Sequence, residues 1–141
     1  MDDRAVLGML GGADGSIMSD DECNVCVSAG DGEPAEFSTT MFVRARKPHT
    51  CVECHRLMPV GERHEVETGK WDGWMGTYRT CLSCQEIRQE FCCDGWTYGA
   101  LWEHIEEDLF PIFTEACVAK LQTFTAKSLL AARWRQWKGL P

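Results

Sequence analysis

From Tyr98 to Leu109 the apolar residues Leu101, Ile105 and Leu109 recur every fourth position, with Trp102 beside them and Glu103, Glu106, Glu107 and Asp108 opposite. That spacing predicts an amphipathic helix. Phe110-Pro111 then marks a turn, and a helical stretch is expected from about Phe113 to Lys138, stopped by Gly139 and Pro141. Its apolar members split into two stripes, Phe113, Cys117, Leu121 and Phe124 against Ala126, Leu130, Trp134 and Trp137. The shift between them, near Thr123 to Ser128, implies a kink or two separate helices. Earlier in the chain the period changes. Phe37 to Arg46 suits a short strand, and His64 to Thr68 and Met75 to Thr80 flank a glycine-rich stretch with an Asp72-Gly73 step, the composition of a hairpin turn. Gln85 to Phe91 is a good helix-forming run. Residues 1–22, glycine-rich and acidic, read as a mobile leader, and residues 28–36 as a loop.

With 141 residues, 44% of them hydrophobic, there is enough chain for a real core. No run approaches the roughly 20 apolar residues that span a bilayer. The start, Met1-Asp2-Asp3-Arg4, lacks the basic region and long apolar segment of a signal peptide. The expectation is a cytoplasmic protein whose thiols stay reduced.

Cysteine usage changes the picture most. Eight of nine cysteines fall into close pairs: Cys23 and Cys26, Cys51 and Cys54, Cys81 and Cys84, and the adjacent Cys92 and Cys93. A two-residue gap lets one turn aim two thiolates at one ion, and zinc takes four such ligands in a tetrahedron. The order of cysteine turn, hairpin, then cysteine pair opening a helix is the layout of a treble-clef zinc finger. The fold expected is therefore α+β: a treble-clef-like zinc-binding core over residues 23–108, then a helical C-terminal part over 109–141. Two structural zinc ions are expected. Cys51, Cys54, Cys81 and Cys84 form the first site. Cys23, Cys26, Cys92 and Cys93 form the second, with a histidine (His49, His55, His64 or His104) as substitute should one of the adjacent thiols turn into the core. Cys117 reads as a small buried hydrophobe.

Other chemistries fit less well. Cys51-Val-Glu-Cys54-His55 matches a c-type haem attachment motif, but that attachment needs export. A dithiol oxidoreductase needs one reactive pair, not several. Four cysteines also hold iron–sulfur clusters. A catalytic zinc keeps an open position and draws on His or carboxylate ligands, whereas this inventory looks closed. No phosphate-cradling glycine loop or nucleophile elbow is present, so no enzyme is expected.

Net charge is −8, unevenly spread. Residues 1–108 carry 21 acids against 9 bases, and residues 109–141 carry one acid against five bases. An acidic body disfavours non-specific nucleic-acid binding and favours a basic partner surface.

The run Ala45-Arg46-Lys47-Pro48-His49-Thr50-Cys51-Val52-Glu53-Cys54 resembles a segment of small bacteriophage and prophage proteins of unknown function. So do Gly61-Glu62, Gly69-Lys70-Trp71-Asp72-Gly73 and Cys92 to Glu103, and the closing Trp134 to Leu140 is similar. The resemblance implies a phage-encoded accessory protein acting in a bacterial cytoplasm. The function expected is a non-enzymatic, zinc-stabilised module that binds a host protein, of the kind that inhibits restriction or CRISPR defence. Trp71 and Trp74 at the hairpin tip are candidate contacts. The alternative is nucleic-acid binding through Arg44, Arg46 and Lys47 together with Lys127, Arg133, Arg135 and Lys138, interleaved with Trp134 and Trp137.

Overall fold

A computed structural model of the chain describes residues 22–28 and 35–141. The leader of residues 1–21 and most of the loop after the first cysteine pair lie outside the described residues.

The fold is α+β. Three strands, β1 (Phe37–Arg44), β4 (Arg63–Trp71) and β5 (Trp74–Cys81), make an antiparallel sheet in the order β1-β4-β5. Two short strands, β2 (His49–Thr50) and β3 (Leu57–Met58), pair on either side of the Cys51–Cys54 turn. Helices α1 (Leu82–Phe91) and α2 (Leu101–Asp108) follow, then a 3-10 turn at Phe110–Ile112, then α3 (Glu115–Ala119) and α4 (Phe124–Lys138). Among the described residues no helix is long and apolar enough to cross a membrane.

The β4–β5 hairpin turns at Asp72 and Gly73, both with positive φ (51° and 87°). Two consecutive left-handed residues match the right-handed twist of the arms, and glycine takes that conformation at no steric cost. Near the tip the tryptophan rings lie where Cβ atoms are absent. A Cβ on Gly69 would meet Trp71 Cη2 at 2.9 Å, and one on Gly76 would collide with the Trp74 ring.

The C-terminal helical stretch divides into two helices. The break falls at residues 120–123, where Thr123 caps α4 by accepting from the Ala126 amide. The Glu86 carboxylate of α1 secures this corner by accepting from the Gln122 and Thr123 amides and the Thr123 hydroxyl. The 109–141 part packs on the rest rather than projecting from it. Leu109, Phe110, Cys117, Leu121, Ala126 and Leu130 share one buried cluster with Ile87, Phe91, Leu101 and Ile105.

A buried polar layer lies beneath α1. Arg88 and Glu65 pair there, the Trp96 ring lies 4.2 Å from the guanidinium, and Tyr98 stacks on Tyr78 with ring centroids 4.3 Å apart. The sequence pattern shows little of this layer. Its one signal was Arg88 itself, which falls on the same helical stripe as Cys84, Ile87 and Phe91.

Candidate metal centre

Cys51 opens a tight turn closed by two backbone hydrogen bonds. The His55 amide donates to the Cys51 carbonyl at 2.9 Å, and the Cys51 amide to the Arg56 carbonyl at 2.9 Å. Closing it puts His55 in the left-handed region at φ 63°, a conformation sparsely used by residues with a Cβ. The second pair sits at the start of α1. Cys81 is the N-cap, with extended backbone, and its sulfur accepts from the Cys84 amide at 3.5 Å. The helix N-terminus favours negative charge there.

These two pieces converge. The sulfurs of Cys51, Cys54, Cys81 and Cys84 all lie within 4.8 Å of one another, and Cys54 and Cys81 are 3.9 Å apart. A tetrahedral ion with metal–sulfur bonds of about 2.3 Å sets its ligands about 3.8 Å apart, so the spacing fits. The sulfurs also receive the donors that stabilise thiolates. Cys51 accepts from the amides of Glu53 (3.4 Å) and Cys81 (3.3 Å), and Cys84 accepts from the Trp102 indole N–H at 3.4 Å. Contacts with Cys54, then Cys81 and Cys84, hold the Cys51 thiol well below the ordinary value, while the same neighbourhood pushes Cys81 and Cys84 above it. Four thiolates so close need a cation to coexist. Cys51, Cys81 and Cys84 are buried and Cys54 is half-buried.

The turn is anchored to α2 by Glu53. Its buried carboxylate accepts from the Gly99 amide (3.1 and 3.2 Å) and from the Leu101 amide (3.1 Å) at the helix start. Burial raises its carboxyl above the usual carboxylate range, against the pull of those amides.

The predicted second quartet does not assemble. Cys26 and Cys93 come together, joined as a disulfide with Cα atoms 5.5 Å apart. Cys23 instead bonds Cys117, with Cα atoms 5.1 Å apart. Cys92 is a free thiol turned into the core. The physical reason is the end of α1. The buried face runs through Phe91 and Cys92 and ends there, so the side chains of Cys92 and Cys93 diverge and Cys93 is exposed. Asp94 lies within 4.8 Å of the Cys26 and Cys93 sulfurs in an exposed trio that could hold a metal ion, but sulfurs joined to each other are not thiolate ligands. Cys117, expected as a small buried hydrophobe, is thus a covalent partner of the first cysteine pair. None of the four histidines enters the Cys51 cluster. His64 is buried between the Glu62 carbonyl and the Arg79 guanidinium.

Of the candidate contact residues, Trp74 is 51% exposed, whereas Trp71 is half-buried against Tyr78. Arg133 lies over the Trp102 ring at 4.6 Å and Lys138 near Trp134 at 5.9 Å, while Arg135 bonds the Pro141 carbonyl. Between the cysteine cluster and α4 runs a cleft of about 950 Å³ lined by Arg56, Arg63 and Arg133, with Leu82, Phe124 and Leu129 as apolar wall.

No family model, curated protein or solved structure matches the chain.

Proposed function

We propose that the chain is a non-enzymatic binding module whose fold is stabilised by one structural zinc ion. The observation that supports this is the closed donor set of Cys51, Cys54, Cys81 and Cys84. All four are thiols, three are buried, and the cluster is wrapped by backbone and indole N–H groups. Sulfur-only tetrahedral sets suit zinc and leave no place for a substrate. Two ligands on a turn and two at a helix start, with a hairpin between, support the treble-clef reading. The chemistry zinc supplies here is cross-linking: it neutralises the thiolates and ties the β2–β3 turn to α1.

The function then lies in the surface that the centre holds in place. The acidic body, with the exposed Trp74 and Met75 at the hairpin tip, suits a protein partner with a basic face. The resemblance to phage proteins makes that partner a host protein, and inhibition of a host defence complex is the role that follows. Affinity capture with the zinc-loaded chain, repeated with Trp74→Ala, tests this. The expected result is one specific partner lost in the variant. Capture of the same proteins by both forms would remove the hairpin tip from the interface.

A second reading has its own observation. Arg56 and Arg63 from the sheet side and Arg133 from α4 line one cleft, with Phe124 exposed at its edge. Guanidinium groups beside an aromatic ring suit a single-stranded nucleic acid. Binding of a single-stranded oligonucleotide should then weaken steeply with salt and be lost in Arg133→Glu. Absence of binding at low salt would dispose of this reading.

A further inference from the structure

The two disulfides differ in their surroundings. Cys23 and Cys117 are 6% and 1% exposed, whereas Cys26 and Cys93 both face solvent. Exposed disulfides are the labile ones, because a small dithiol can reach their sulfurs. Beside the Cys26–Cys93 bond lies a third ligand group. A carboxylate oxygen of Asp94 is 4.0 Å from the Cys93 sulfur, and the ligand atoms of Cys26, Cys93 and Asp94 all lie within 4.8 Å of one another.

Opening that bond does not scatter these groups. Val27, next to Cys26, is fully buried, and its amide donates to the carbonyl of Phe91 at 2.9 Å. The Ser28 amide donates to the Asp108 carboxylate at 2.9 Å. On the other side, Cys23 is held by its bond to Cys117, and its carbonyl accepts from Lys120 Nζ at 2.6 Å. Cys92 fixes the other partner by lying in the core beside Cys93. The segment is thus pinned on both sides of Cys26 by contacts that do not involve the Cys26–Cys93 bond. The two Cα atoms then keep a separation near 5.5 Å. Rotation about each Cα–Cβ bond parts the sulfurs to about 3.8 Å, the spacing of two thiolates on one tetrahedral zinc ion. A carboxylate oxygen on the same ion sits about 3.5 Å from each sulfur, close to where Asp94 already lies.

We propose that Cys26, Cys93 and Asp94 form a second metal site, closed while the disulfide stands and opened by its two-electron reduction, which takes one zinc ion with water in the fourth position. A dithiol reductant cleaves the S–S bond by exchange, leaving two thiols on the chain and forming its own disulfide. The ion displaces both thiol protons as it binds, and Asp94 adds a carboxylate oxygen. The excess of acids over bases in residues 1–108 favours a cation here. The 22–28 segment is tied to the end of α1 in both states, by a covalent bond in one and by a metal in the other. The site uses none of the four cluster cysteines, so it stands apart from the zinc-module reading.

The test compares two portions of the oxidised full chain. One is treated with a water-soluble phosphine, which takes an oxygen atom from water as the disulfide becomes two thiols, and is then desalted. Both portions receive zinc, are desalted again and are weighed by native mass spectrometry. The count is a difference between portions, so it does not depend on what the Cys51 cluster carries. The reduced portion should hold one more zinc ion than the untreated one and keep one disulfide. Iodoacetamide added before the zinc should label Cys26 and Cys93 and leave Cys23 and Cys117 unlabelled. The extra zinc should vanish in Cys93→Ser. In Asp94→Asn it should be held at least about tenfold more weakly in competition with a chromophoric chelator, since even an outer partner of a metal ligand contributes that much. Both substitutions lie at exposed positions, and circular dichroism checks that each variant remains folded. Equal zinc in the two portions, an extra ion that survives Cys93→Ser, indifference to Asp94→Asn, or opening of the buried disulfide first would each overturn the proposal.

Discussion

Arg88 Nη2 donates to both carboxylate oxygens of Glu65, at 2.9 and 2.7 Å, in a layer where the two side chains are only 1% and 5% exposed. The pair links the second half of α1 to the start of β4. No acceptor among the described residues meets Arg88 Nε or Nη1; the ring of Trp96 covers the guanidinium instead. Removing one partner leaves the other charge stranded, which costs more than the pair is worth. Arg88→Met should therefore lose about 3–5 kcal/mol in denaturant unfolding, and adding Glu65→Leu should restore most of it. A single variant within about 0.5 kcal/mol of the parent would show that water reaches this layer.

Two disulfides hold the 22–28 segment. They close loops with sequence separations of 94 and 67 residues, each worth about 4.5 kcal/mol by loop entropy. Val27 is fully buried beneath them, and its amide donates to the Phe91 carbonyl at 2.9 Å. Mild reduction should accelerate hydrogen exchange at the Val27 amide while the metal content stays constant. Loss of metal on the same timescale would mean that the two parts of the core are one cooperative unit.

Cys92 is the free thiol outside the cluster. Burial pushes it up to about 11, with Arg88 pulling in the opposite direction. The unfolded chain releases this proton first, near the ordinary thiol value of about 8.5. The Cys92 contribution to stability therefore falls as pH rises from about 8.5 towards 11. Alkylation at mildly alkaline pH should spare Cys92 until the chain unfolds, and Cys92→Ala should flatten stability across that window. Rapid labelling of the native protein would contradict its placement.

Trp74 and Trp102 make a contrasting pair. Trp74 lies half in solvent over Gly76, whereas Trp102 is 5% exposed and donates to the Cys84 sulfur. Trp74→Ala should change the unfolding free energy by no more than about 0.5 kcal/mol. Trp102→Ala should cost about 3–5 kcal/mol and loosen the metal. Equal effects would mean that the hairpin tip is structural, not a contact surface.

Local signals carried most of what the sequence made legible. The Cys51 and Cys81 pairs, the Asp72-Gly73 turn, the 3.6-residue period of α2 and the break before α4 each depend on residues within one turn or one hairpin. The second cysteine quartet depended on which distant segments meet, and spacing does not encode that. Cys117 lies 94 residues from Cys23, and its helical stripe showed only that it would be buried. The adjacent Cys92 and Cys93 carried the warning, because neighbouring side chains on a helix end point apart. The buried charges of Glu53 and Glu65 were hidden for a related reason. Glu53 and Glu65 look like ordinary surface residues until the elements that supply their partners are brought together, and only Arg88 shows its burial locally, by its place on the helical stripe of Cys84, Ile87 and Phe91.

Native mass spectrometry of the intact chain tests the four-thiolate centre most directly. The predicted mass is that of the polypeptide with one zinc ion and two disulfides, and Cys84→Ala should carry no zinc. Two zinc ions per chain with no disulfide, or a zinc-free native chain, would contradict it.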